Sequence, residues 1–154
     1  KDSTRALVAT MTAHAAAPSG ALAQTEVLRA RTPNHVSLIV SDLERSVAFY
    51  QDTFGLGVKS RQTGGVNLGV GDAFVGIYQG GPAATPHINH LCFGFDAFDS
   101  ARTVAALESH GLAAEARTRD GVTQVYCADP DGLRIQLQDV SFCGGLGVLG
   151  NECS

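Results

Sequence analysis

Tryptophan is missing from this 154-residue chain, and aromatic residues of all kinds make up only 6% of it. That scarcity disfavours a binding surface built on stacked aromatic platforms. No run of about 18 apolar residues occurs, which argues against a membrane-spanning helix. Lys and Arg nowhere cluster, and the formal net charge is −4. Nucleic acid and anionic membrane surfaces are therefore not expected as partners. The four cysteines contain no C-x-x-C pair, so zinc-ribbon and thioredoxin-like motifs are absent. Ser-His-Asp spacing is missing too, as is a phosphate-binding glycine loop. The glycines fall at turns and in the tail.

What is present is a composition of 44% apolar and 17% charged residues, that of a soluble globular domain. Residues 1–31 stand apart. Their Ala- and Thr-rich stretch "TRALVATMTAHAAAPSGALAQ" places Ala21-Leu22-Ala23 before Gln24, resembling the end of an export signal with a small-residue cleavage site. The other reading is an Ala-rich amphipathic helix packed on the domain. The first predicts an exported or periplasmic protein, the second a cytoplasmic one. At the other end, residues 141–154 form a Gly- and Cys-rich tail. Cys143 and Cys153 flank "CGGLGVLGNEC" and could close a small disulfide loop in an oxidising compartment, or stay free thiols on a mobile tail. Cys92 and Cys127 sit in apolar strand patterns and read as inert core residues.

Between these ends, residues 32–140 read as one domain. "HVSLIV" (35–40) is β-branched and apolar, hence a strand. "SDLERSVAFYQDTFG" carries Ser41 or Asp42 as N-cap, Gly55 as C-cap and an apolar face at helical period. Strands follow around 57–62, 65–70 and 73–79, separated by Gly64-Gly65 and Gly71-Asp72 turns. After the linker "GGPAATP" (80–86) the order repeats. "INHLCFGF" (88–95) is a strand, and 99–111 a helix between Asp99 as N-cap and Gly111 as C-cap. Strands at 112–117, 122–128 and 133–138 follow, broken by Asp120-Gly121 and Asp131-Gly132.

The two halves align residue by residue. Asn34-His35 matches Asn89-His90, and "FVGIYQ" (74–79) matches "RIQLQD" (134–139), which sets Gly76 beside Gln136. One histidine at the start of a strand reads as an ordinary core residue. Two at equivalent repeat positions do not, because a pseudo-twofold fold can bring them together.

The segments "NHVSLIVSDLERSVAFYQDTFGLGV" (34–58), "INHLCFGFDAFDSARTVAALESHGL" (88–112) and "YCADPDGLRIQLQD" (126–139) resemble the vicinal oxygen chelate superfamily: glyoxalase I, extradiol dioxygenases, fosfomycin-resistance and bleomycin-binding proteins. The resemblance implies an α+β fold of two tandem βαβββ modules, 32–79 and 87–140, forming a cupped mixed sheet. It implies a divalent metal ion (Fe, Mn, Ni or Zn) held from the first and last strand of each module. Those positions are His35, Gly76, His90 and Gln136. Gly76 has no side chain, and Gln136 replaces the Glu usual in the family, so the implied ligands are His35, His90 and Gln136. Two imidazoles and a carboxylate make the facial site of non-haem iron. A neutral Gln holds a divalent ion less firmly and leaves the site more positive. Asn34 and Asn89 are placed to orient the histidines.

Further candidates follow from position. Tyr126 could donate a hydrogen bond to a bound oxyanion or enolate, or simply pack. His87, three residues before His90, could be an acid/base group or substitute ligand, or a solvated loop histidine. Arg134 shares the parity of Gln136 and could hold an anionic substrate, or sit in a surface ion pair. Asp129 and Asp131 read as turn formers. Two functions compete. One is a metal-dependent lyase/isomerase or extradiol-type dioxygenase acting on a small substrate with vicinal oxygens. The other is a metal-free protein of the same fold that sequesters small molecules. The resemblance also implies a homodimer with the cup at the pairing interface, leaving open whether His35 and His90 meet within one chain or across two.

Overall fold

The computed structural model describes residues 28–153. The two readings of residues 1–31 rest on a segment whose residues 1–27 lie outside the described residues. Among the described residues, no helix is long and apolar enough to cross a membrane.

The first half runs β1 (Thr32–Val40), α1 (Leu43–Phe54), β2 (Val58–Gln62), β3 (Gly65–Val70) and β4 (Ala73–Gln79). The second runs β5 (His87–Phe95), α2 (Ser100–Ser109), β6 (Glu115–Arg119), β7 (Val122–Ala128) and β8 (Arg134–Asp139). Both helices start on an aspartate whose side chain accepts a free backbone N–H of the first turn: Asp42 from Arg45, Asp99 from Arg102. α1 ends on Gly55 in the left-handed region, at φ 69°. α2 ends one step earlier than the sequence predicts. His110 is its cap, and Gly111 follows it into the left-handed region at φ 76°. Leu112 N–H still bonds back to the Leu107 carbonyl, so β6 begins at Glu115 and not at 112.

All eight strands form one sheet in the order β2-β3-β4-β1-β5-β8-β7-β6. Each half is a βαβββ module whose first and last strands pair in parallel. The modules meet where β1 runs antiparallel to β5. The predicted alignment of the halves is visible in register: Ser37 pairs with Gly76, and Cys92 with Gln136.

Strand alternation gives the sheet two different faces. One face packs apolar side chains under the helices. Val66, Leu68 and Ile77 meet Val47 of α1, and Val125 and Leu137 meet Leu107 of α2. The other face, which the sheet curls around, carries Ser37, Asn67, Gln136 and Gln138, all buried. A concave surface this polar is a lined cup and not a second core.

Part of the cup is filled by the tail. Phe142 packs with Phe74 and Val122, and Cys143 is joined to Cys153 by a disulfide. The Cys143 carbonyl accepts from Ser60 Oγ at 2.9 Å and the Gly144 carbonyl from Gln62 Nε2 at 2.7 Å. Of the two free cysteines, Cys127 is half-buried against the α2 core, as read from sequence. Cys92 is buried but lies on β5 at the parity of His90, so it belongs to the cup face.

Candidate metal centre

His35 and His90 lie on neighbouring central strands. His35 pairs with Cys92 and His90 with Ser37 across the seam, which makes the two histidines diagonal neighbours on the concave face. Their Nε2 atoms are 3.2 Å apart. Both come from one chain.

Each imidazole is oriented from behind. His35 Nδ1 is 2.8 Å from Asn34 Oδ1, and His90 Nδ1 is 2.8 Å from Asn89 Oδ1. The amide of Asn34 cannot be turned round, because its Nδ2 donates to the Phe142 carbonyl at 2.9 Å and the Val140 carbonyl at 3.4 Å. Asn89 Oδ1 also accepts from Arg134 Nη1 at 3.4 Å. Both Nδ1 atoms therefore carry the ring proton, and both Nε2 atoms present bare lone pairs. Burial, reinforced by His90, lowers the pKa of His35 to about 3. Burial, reinforced by Arg134, lowers that of His90 to about 4. At neutral pH neither ring supplies a proton to bridge the pair.

Two facing lone pairs call for an electron-pair acceptor between them. Nitrogens sharing one ion at about 2.1 Å each stand roughly 3–3.5 Å apart, the spacing seen here. Among the described residues, no group of three or more His, Cys, Asp or Glu side chains could hold an ion. The third candidate donor is Gln136, whose side chain lines the same cavity as both rings. Gln136 is buried, and its Oε1 accepts from the Tyr126 hydroxyl at 3.0 Å. Its Nε2 has no partner among the described residues. The donor set thus fits a divalent ion, held by three neutral groups.

Gly76 is closed as a fourth position. A Cβ there would come within 2.9 Å of Tyr78, 3.0 Å of Asn67 Oδ1 and 3.1 Å of Ser37 Oγ.

The histidines open into a cavity of about 530 Å³ lined also by Tyr126, Arg134 and Gln136. Arg134 lies over the Tyr126 ring, 3.9 Å from its centroid. Burial pushes the Tyr126 hydroxyl up to about 12, so at neutral pH it is a proton-bearing donor and not a base. His87 stands at the exposed start of β5, its Nδ1–H donating to the Thr85 carbonyl at 2.7 Å. It does not line this cavity.

Other residues at the site escaped the sequence reading. Gln124 Oε1 lies 2.8 Å from the Tyr126 hydroxyl and competes with Gln136 Oε1 for its single proton, and Arg117 and Arg119 of the edge strand β6 line the cavity. Alternation along β6 and β7 was the signal that could have found them. Phe74 stacks on His35 at 4.3 Å, and Phe142 of the tail lies 5.6 Å from the same ring. Nothing in the local pattern announced that the tail returns to the cup.

Three comparisons bear on this geometry. The chain is 29% identical to the glutathione transferase FosA of Serratia marcescens over 118 residues, covering 73% of this chain and 84% of that protein. Its fold matches methylmalonyl-CoA epimerase from Mycobacterium tuberculosis at a TM-score of 0.56 and 20% identity, covering 68% of this chain and 84% of that one. It also matches a variant of homoprotocatechuate 2,3-dioxygenase from B. fuscum at a TM-score of 0.64 and 18% identity, covering 82% of this chain but only 36% of the dioxygenase. The seam, the facing histidines and all of the paired modules but the last two residues of β8 fall within residues 32–137, which match one family model. The chain belongs to the Glyoxalase/Bleomycin resistance protein/Dioxygenase superfamily.

Proposed function

We propose that this chain is a metal-dependent enzyme of the glyoxalase/dioxygenase type, acting on a small substrate whose vicinal oxygens bind a divalent ion held by His35, His90 and Gln136. The observation that carries this reading is the pair of bare Nε2 atoms facing each other at 3.2 Å, each fixed by an asparagine. Fe, Mn, Ni and Zn all accept such donors. When bound, the ion would polarise the substrate oxygens as a Lewis acid. The chain's own groups do the rest. Arg134 orients the substrate by its charge, and Tyr126 keeps its proton and turns it from the Gln124 or Gln136 amide oxygen to a substrate oxygen. His87, at the exposed start of β5, is within reach only of a substrate that extends to the rim. The glutathione transferase, epimerase and dioxygenase relatives all act on small molecules, as their names state. The two histidines meet within one chain, so in a homodimer each protomer would carry its own pair.

Metal analysis of protein purified without chelator tests this. One divalent ion per chain is expected, with its loss in His90→Ala and tighter retention in Gln136→Glu, because a carboxylate adds the charge that an amide lacks. A wild-type protein with no stoichiometric metal, whose melting temperature divalent ions do not raise, would leave the metal-free sequestering protein as the reading.

A further inference from the structure

The residues lining the cup include three arginines, Arg117, Arg119 and Arg134, and no Asp or Glu, in a chain whose net charge is −4. Glu115 feels the charge of Arg134, but both its oxygens are bonded to Arg117. Arg134 itself rests on a neutral amide oxygen, Asn89 Oδ1, and on the face of Tyr126. Asp120 lies 3.6 Å from Arg119 at the exposed tip of the β6–β7 hairpin. Beneath them, the third donor position is Gln136, an amide that brings no charge and whose buried Nε2 still has a hydrogen to give.

These observations share one deficit. A divalent ion held by two imidazoles and an amide keeps its whole double charge, whereas a carboxylate ligand would halve it. In the wall above, Arg117 is paired with Glu115 and Arg119 stands by Asp120, which leaves Arg134 as the lining guanidinium that rests on no carboxylate. The exposed Arg117 and Arg119 are screened by solvent, but the charge at the buried His35 and Gln136 and at half-buried Arg134 is screened less. From this excess of positive charge we infer that the substrate is a small organic dianion that supplies the negative charge the protein withholds. One anionic group, beside a second oxygen, replaces the missing carboxylate at the ion. The other meets Arg134, with the Gln136 Nε2 donor free for an acceptor oxygen. Charge-assisted hydrogen bonds of this kind are about twice as strong as neutral ones. The proposal rests on the metal-site reading above and names the substrate class for that same site.

Calorimetric titration of the full chain with oxalate, glycolate and hydroxyacetone tests the proposal, each ligand run with and without one equivalent of manganese. These probes carry two, one and no negative charges on vicinal oxygens. With manganese, oxalate is expected to bind at least about tenfold more tightly than glycolate, and hydroxyacetone to give no measurable heat. Arg134→Gln should weaken oxalate by more than it changes manganese affinity, and Arg117→Gln, which touches neither histidine nor its asparagine, should weaken oxalate with manganese affinity unchanged. Gln136→Glu should split the two titrations in opposite directions, with manganese tighter and oxalate weaker by about tenfold. Glycolate or hydroxyacetone binding as well as oxalate overturns the proposal, as does a Gln136→Glu protein that holds oxalate as tightly as the wild type. If the wild type takes up no manganese, the metal reading falls and the metal-free titration decides this one. Oxalate binding that is lost in Arg134→Gln then upholds the dianion, and no oxalate binding overturns it.

Discussion

Asn34 has contacts on two sides. Its Oδ1 holds the ring proton of His35, and its Nδ2 ties down two carbonyls of the tail. Asn34→Ala should therefore lower metal affinity by about 10–100-fold and cost about 1–3 kcal/mol of stability, since buried groups lose their partners. Equilibrium dialysis and urea unfolding of one variant read both effects. Gly76→Ala is the contrasting case. It touches no donor to the ion, but its methyl must displace Tyr78, Asn67 or Ser37, so a loss of about 1–3 kcal/mol is expected with metal affinity little changed. The histidines also set a pH dependence in metal-free protein. Folded, they bind protons only near pH 3 and 4; unfolded, near about 6.5. Between these values the unfolded chain holds more protons, so stability rises with pH over that window and levels off above it. Urea midpoints measured in chelator from pH 4 to pH 8 should climb until about pH 6.5 and then stay flat. His90→Ala should flatten part of the climb.

At the scale of elements, the strands were legible because their alternation divides apolar residues under the helices from polar ones in the cup. β3, β4 and β7 occupy the residues the pattern predicts, 65–70, 73–79 and 122–128. β6 starts three residues late because the chain needs Gly111 to Ala114 to leave α2. Its residues are all exposed, and Glu115, Arg117 and Arg119 make it a charged edge strand. The tail was legible as a possible loop but not as a wall of the site. Its hydrogen bonds are made by backbone carbonyls, which no side-chain pattern reveals. Closing a loop of this size restricts the unfolded chain by roughly 2–3 kcal/mol, and the folded loop carries Phe142 to within 5.6 Å of His35. Cys153→Ser should lower stability by about that amount and weaken metal binding through Asn34. Thiol counting under non-reducing denaturation should find two free thiols of four, Cys92 and Cys127. Four free thiols would remove the clamp.

At the scale of the whole molecule, β1 and β5 of the same chain form the seam that carries both histidines. Mixing His35→Ala with His90→Ala protein, after unfolding and refolding together, should therefore restore no metal sites; recovery toward a quarter of the wild-type count would mean that the halves come from different chains. The repeat made both histidines and the Gln136 position visible in advance, since equivalence across the halves is written in residue order. The arginine wall was not, because Arg117 and Arg119 reach the cup from the far edge of the sheet. The modules also differ where their registers correspond. Opposite His35 stands Phe74, and the parallel pairing of β5 with β8 puts Arg134 at the matching place beside His90. One half of the cup is aromatic and closed by the tail; the other is cationic and open. A molecule bound beside the imidazoles would meet a different wall on each side, so the two orientations that a duplicated backbone leaves equivalent would differ in energy, and one of them would be chosen.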